Sequence, residues 1–199
     1  MARTTTAGRT FPAEPLTRAE VDVLLAGCSA CAPTGIRNRA LIVVLYRTGL
    51  RITEALSLRP ADVNAERGTI RVLHGKGDKA RTVGLDPGAM AVLLRWMDRR
   101  AACGFRNGPL FCTLAGTPVL SGYVRDMLKR LAARAGLEKR VHPHGLRHTH
   151  AAELVNEGAP MNVIREQLGH SSLATTDRYL RNVAPADVIA FGRGREWAE

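Results

Sequence analysis

The sequence predicts an α+β fold that is mainly helical, with one small antiparallel β-sheet. Segments that open on a capping residue or proline and close on glycine recur along the chain, as helices do. Between residues 69 and 85 two β-rich runs flank a Gly/Lys/Asp turn, the signature of a hairpin. With 199 residues, 45% of them hydrophobic and 24% charged, the chain suits a globular protein large enough to bury a real core.

Thr17 can cap a first helix with Glu20 completing a capping box, and Leu16 can staple onto Val21. That helix is expected to reach Ala26 and end at Gly27. A second begins near Thr34 or Gly35, carries the apolar run LIVVLY, and stops at Gly49. Arg51 then opens a short helix with Glu54 on the same face, by itself an ordinary i,i+3 pair. In the hairpin, Lys76 lies between Gly75 and Gly77. It is not a phosphate-binding P-loop, whose glycine and lysine order differs, and alone it reads as an exposed turn lysine.

Pro87 sits at the first position of another helix, whose core stripe is expected at Met90, Leu93, Leu94 and Met97. Residues 103–120 are rich in glycine and proline, with Leu110, Phe111, Val119 and Leu120 expected to be buried. Ser121 caps a helix through Ala135, ended by Gly136. Helices follow from about His144 to Asn156, closed by Gly158, and over 161–168, closed by Gly169. A last one, bearing Tyr179, is capped by Ser171 or Ser172. The tail from 185 to 199 holds a short apolar helix and a polar end.

The net charge of +11 and pI near 10.5 point to a polyanionic partner. Basic residues are spread along the whole chain, which suits a protein wrapped on a nucleic-acid duplex. No basic amphipathic anchor favours a membrane. No apolar run approaches the ~20 residues that span a bilayer, and the first residues lack a secretory core. Residues 1–14 are expected to form a flexible arm, and the location to be cytoplasmic.

Metal chemistry is the competing reading. His142, His144, His148 and His150 crowd nine residues, and His144 with His148 at i,i+4 could chelate zinc. A catalytic zinc needs a third ligand and an open position, and no His-Glu-x-x-His order is present. Cys28, Cys31, Cys103 and Cys112 lack zinc-ribbon spacing and are expected to be small buried thiols. Tyr46 and Tyr123 read as core tyrosines with satisfied hydroxyls. No metal and no cofactor are expected.

The segment 142–181 gathers the remaining candidates: His144-x-x-Arg147, then Leu-Gly-His ending at His170, then Tyr179 nine positions later. With Arg51 and a hairpin lysine in the same chain order, this resembles the catalytic domain of the tyrosine recombinase, or phage integrase, family, over nearly all of residues 15–184. The resemblance implies that the small sheet carries a catalytic lysine hairpin. It makes Tyr179 the nucleophile, Arg51 and Arg147 the phosphate clamp, and Glu54 the group that orients Arg51. His144 would move a proton, His170 hold the phosphate or phenol, and Lys76 protonate the departing 5′-oxygen, with Lys79 and Arg81 as runners-up. Lys79, Arg81, Arg178 and Arg181 would contact DNA.

The implied reaction is site-specific strand exchange on double-stranded DNA through a 3′-phosphotyrosyl link, needing neither metal nor ATP. A homo-oligomer, a tetramer on DNA, and accessory DNA-bending proteins are the implied partners, with the tail as a subunit-exchange helix. Most members carry a helical core-binding domain before this one. The resemblance here is to the compact fimbrial-switch type, or to one domain of a longer protein. Type IB topoisomerases share the chemistry, and a DNA-binding protein without independent cleavage is the alternative function.

Overall fold

A computed structural model describes residues 14–73 and 80–169. The helices are α1 (Arg18–Ala26), α2 (Pro33–Thr48), α3 (Ile52–Ser57), α4 (Pro87–Ala102), α5 (Ser121–Arg134), α6 (Pro143–Asn156) and α7 (Met161–Leu168). Strands β1 (Val63–Asn64), β2 (Thr69–Val72) and β3 (Arg81–Gly84) form an antiparallel sheet in the order β1-β2-β3. The predicted fold class is therefore the observed one. Lys76, Lys79, His170, Arg178, Tyr179, Arg181, the 1–14 arm up to residue 13 and the 185–199 tail lie outside the described residues.

Helix α2 is the centre. Its run from Ala40 to Tyr46 is buried on every side, as expected of a helix apolar all round, and it packs on α4 and α6. Helix α1 forms the predicted capping box, with Glu20 N donating to Thr17 Oγ1 and Thr17 N to Glu20 Oε2. Gly49 ends α2 at φ +63°, where a Cβ would meet His150 and Leu168 at 2.6 and 2.7 Å. Only glycine serves both the backbone and that close approach.

The sheet keeps strict alternation. Ile70 and Val72 on β2 and Val83 on β3 face the core, while Arg71 and Thr82 face outward. In the register Val72 opposes Arg81 and Ile70 opposes Val83. The side-chain amide of Gln167 pairs with the free edge of β3, donating to Gly84 O at 3.2 Å and accepting from Gly84 N at 3.3 Å. That seals an edge that would otherwise offer unpaired backbone groups.

Several expectations need correction. Strand β1 is too short, at two residues, to leave a periodic signal. In α4 the deepest residues are Met90, Leu93 and Trp96, whereas Leu94 and Met97 are only partly buried. Trp96 is drawn in because its indole N–H donates to Leu110 O at 2.9 Å. Leu120 is 73% exposed, since it is the cap residue of α5 and points away while Val119 turns inward; Ser121 is the first helical residue. Tyr123 is 37% exposed, its hydroxyl accepting from buried Arg37 at 2.8 Å. Cys28 and Cys112 are buried, but Cys31 and Cys103 are exposed.

Tyr46 is buried as expected and donates to Glu153 Oε1, while Arg47 bridges Asp86 and Glu153 at 2.8 and 3.3 Å. The cluster ties α2 to α6 and to the cap of α4. Burial first, and Glu153 second, push the Tyr46 phenol up to about 12.

Beneath it, His150 is 4% exposed with neither ring nitrogen hydrogen-bonded. Burial first, then the charges of Arg47 and Arg147, depress its pKa to about 4. As pH falls below the ordinary histidine value of about 6.5 the unfolded chain takes up this proton first. Stability therefore declines until the folded state also protonates, near pH 4. From this one group the loss should amount to about 3 kcal/mol. His142 and His144 are lowered too and act in the same direction, whereas Glu54 acts at lower pH. His150→Leu should thus lose less stability than the wild type between neutral pH and pH ~4.5 in urea unfolding; parallel losses would refute this account of His150.

Candidate functional site

The candidate residues collect around the C-terminal end of α7. A helix end leaves carbonyls without intrahelical donors, and the backbone N–H of Gly169, in the left-handed conformation, serves those of Arg165 and Glu166. The next three carbonyls each receive an arginine. Arg81 Nε donates to Gln167 O at 3.4 Å, Arg147 Nη2 to Leu168 O at 2.7 Å, and Arg51 Nη2 to Gly169 O at 3.4 Å. The negative end of the helix dipole favours these cations.

Arg51 is the cap residue of α3, which puts its side chain at the mouth of the site, 29% exposed. Glu54, three residues on, accepts from its backbone N at 2.9 Å and from its Nη1 at 2.8 Å. The same carboxylate takes a two-pronged contact from Arg81, Nη1 to Oε1 at 3.0 Å and Nη2 to Oε2 at 2.9 Å. Glu54 is 3% exposed. Its burial pushes the carboxyl up, but the hydrogen bonds from Arg81 and from the Arg51 backbone outweigh this and bring it down to about 2.

Arg147 comes from the first turns of α6. Pro143 and the His142 cap, whose Nδ1 accepts from Gly145 N at 3.1 Å, start that helix one residue earlier than expected. Arg147 is 2% exposed and its guanidinium spans two elements, with Nη1 on Gly49 O at 2.5 Å and Nη2 on Leu168 O. His144 lies one turn away on the same helix, exposed, with its Nε2 3.1 Å from His148 Nε2. Arg147 follows it by three residues along α6, so the two side chains share a face of that helix. Although His144 is exposed, partial desolvation of its ring first, then the charges of Arg147, His142 and Arg51 in turn, lower its pKa. The imidazole is thus biased toward its neutral, proton-accepting form at neutral pH.

The fold therefore brings together Arg51, Glu54, His144 and Arg147, parts of the chain 96 positions apart at their extremes. It also brings in Arg81, which the sequence groups with the DNA-facing cations; here its guanidinium turns inward onto Glu54. The parity of the strand held that signal, because Arg81 is two residues before buried Val83 and shares its face. Gly169, the helix stop inside the Leu-Gly-His motif, is also a packing position. A Cβ there would lie 2.7 to 2.8 Å from Cζ, Nε and Nη1 of Arg81, so the guanidinium rests flat against it. Among the described residues no group of three or more His, Cys, Asp or Glu could hold a metal ion. None of their helices is long and apolar enough to cross a membrane.

Two convergent guanidiniums, one of them oriented by a buried carboxylate, are chemically suited to an oxyanion such as a phosphate. Comparison with known proteins points the same way. The chain is 36% identical over 167 residues to the tyrosine recombinase XerD of Ralstonia nicotianae, covering 82% of this chain and 54% of that protein. It is 39% identical over 148 residues to XerC of Xanthomonas axonopodis pv. citri, covering 74% and 48%. The chain thus spans about half the length of the curated relatives it matches. Among solved structures, XerA recombinase superposes with a TM-score of 0.79 at 28% identity, over 95% of this chain and 68% of that one. XerH recombinase in its pre-cleavage complex with difH substrate gives 0.71 at 33%, over 83% and 49%. The family model for phage integrases matches residues 14–184, and the chain belongs to that family.

Proposed function

We propose that this chain cuts and rejoins DNA strands as a site-specific tyrosine recombinase. The observation that carries the reading is the meeting of Arg51 and Arg147 on adjacent carbonyls at the end of α7. Tyr179 attacks the scissile phosphorus, forming a 3′-phosphotyrosyl bond as the bond to the 5′-oxygen breaks. A phenol of ordinary pKa near 10 is a weak nucleophile, so its proton passes to His144 as the bond forms. Lys76 returns a proton to the departing 5′-oxygen, and His170 holds the phosphate. Arg51 and Arg147 balance the charge that builds on the non-bridging oxygens, which gives the step its electrostatic stabilisation without a metal ion. Resealing onto a second strand needs no ATP, because the phosphotyrosyl bond retains the ester's energy.

The partner is duplex DNA, contacted by Lys79, Arg178 and Arg181, and the working form is a homo-oligomer, a tetramer on DNA, assisted by DNA-bending proteins. Residues 1–14 act as an arm, 15–184 as the catalytic domain, and 185–199 as an exchanged tail, in a cytoplasmic, nucleoid-associated protein. The net charge of +11 supports the DNA assignment. XerH, whose solved complex holds difH substrate, supports it from outside the chain.

Incubation with a panel of nicked duplexes should trap a covalent protein–DNA adduct with wild-type protein and none with Tyr179→Phe. An adduct that survives that substitution would remove Tyr179 as nucleophile; none on any duplex would favour a non-cleaving DNA-binding protein. Chelator should leave the yield unchanged, and its collapse would restore the histidine-metal reading. Affinity should fall steeply with salt, the slope of log K against log salt being about −5 or steeper for six or more phosphate contacts. A flat profile would contradict the DNA assignment.

A further inference from the structure

Arg81 sits on β3, at the foot of the hairpin that carries Lys76, where a cation is most simply read as a DNA contact. Its surroundings contradict that. At 10% it is less exposed than Arg51 at 29% but more than Arg147 at 2%, and what sets it apart from both is that its two Nη atoms end together on one carboxylate. Both Nη atoms face the Glu54 carboxylate and Nε faces Gln167 O, so every nitrogen of the fork is engaged inside the protein. Its flat seat against Gly169 leaves no room for a side chain at that position.

We propose that Arg81 is a positioning residue for the Arg51 phosphate clamp, holding Glu54 and the last turn of α7 in the one arrangement that leaves Arg51 aimed. The proposal rests on the strand-transfer reading above. Two physical arguments carry it. The Glu54 carboxylate accepts four hydrogen bonds, Arg51 Nη1 and Arg81 Nη1 on Oε1, Arg51 N and Arg81 Nη2 on Oε2, which fills its acceptor sites and fixes its plane. An orienting carboxylate held by one arginine alone could rotate, and Arg51 would rotate with it.

The second argument is charge. Glu54 and Arg51 alone sum to zero, and the carboxylate would compete with phosphate for the guanidinium. With Arg81 the trio keeps one net positive charge, and Arg51 is its most exposed member. Among the described residues Arg51 and Arg81 are the charged groups hydrogen-bonded to Glu54, and α7 contributes only backbone carbonyls.

The test compares wild type with Arg81→Gln, Arg81→Lys and, as a control on the same sheet, Arg71→Gln, whose outward side chain is 58% exposed. Single-turnover adduct formation at saturating nicked duplex should slow by about 30- to 100-fold in Arg81→Gln. Its DNA dissociation constant should stay within about threefold, far less than a clamp residue costs. Arg81→Lys, with the charge but not the fork, should recover part of the rate. Arg71→Gln should keep the wild-type rate. An Arg81→Gln protein with the wild-type rate at saturation but weakened binding would make Arg81 a DNA contact and overturn the proposal.

A readout that needs no DNA keeps the two readings apart. In carboxyl-resolved NMR the Glu54 carboxylate should stay ionised to about pH 4 in wild type and titrate within the ordinary carboxylate range in Arg81→Gln. The slowed rotation of the Arg51 guanidinium should be lost in the same variant. Unchanged Glu54 titration and Arg51 rotation would overturn the positioning role, whether or not the protein cleaves. Should no form of the protein yield an adduct, the strand-transfer reading fails alone, and these two signals decide whether Arg81 governs Arg51.

Discussion

Three consecutive backbone carbonyls at the end of α7 each take a guanidinium, and each guanidinium comes from a different element: Arg81 from β3, Arg147 from α6, Arg51 from the cap of α3. This is the constraint on which the site depends. A helix C-terminus must have its last carbonyls satisfied, and here the donors are the groups that chemistry needs in one place. The demand of the backbone and the demand of the anion site are met by the same contacts. Long cationic side chains that would otherwise repel one another are held together by the dipole and by Glu54.

Around that point the scaffold supplies rigidity. Helix α2, buried on all sides from Ala40 to Tyr46, positions Gly49, whose carbonyl takes the second prong of Arg147. Gln167 locks α7 to the β3 edge, so the strand bearing Arg81 and the helix receiving it move as one body. The N-terminal side is tied in as well, by Leu16 N on Thr149 Oγ1 at 2.9 Å and by Lys139 on Glu14 and Glu20 at 2.9 and 3.0 Å. The functional side chains therefore stand on helix ends and a strand, where backbone geometry limits their freedom.

What could be read from the sequence was what is encoded locally. The Thr17 capping box, the hairpin strands, proline-led α4 and glycine-ended α7 depend on neighbours within four residues, and all formed where their residues said. Arg51 with Glu54 was legible as a pair for the same reason. What depends on distant partners was not. Trp96 is set by Leu110 O, Arg81 by Glu54 across 27 positions, and Val119 by its backbone N–H on Phe111 O. Family resemblance named Arg51 and Arg147 together, but nothing in residue spacing alone says that two arginines 96 positions apart end on adjacent carbonyls.

The carbonyl ladder on α7 also restricts how this chain can change its length. Successive residues of a helix are rotated by about 100° and advanced by about 1.5 Å. One residue gained or lost between Met161 and Leu168 would swing all three acceptors round the axis and strand three arginines at once. The stretch 103–120 carries no such phase, since its turns are held one at a time by carbonyl contacts such as those of Arg100 with Phe105 and Pro109. An added or lost residue is thus tolerated less within the eight residues of α7 than in loops whose helical phase does not matter.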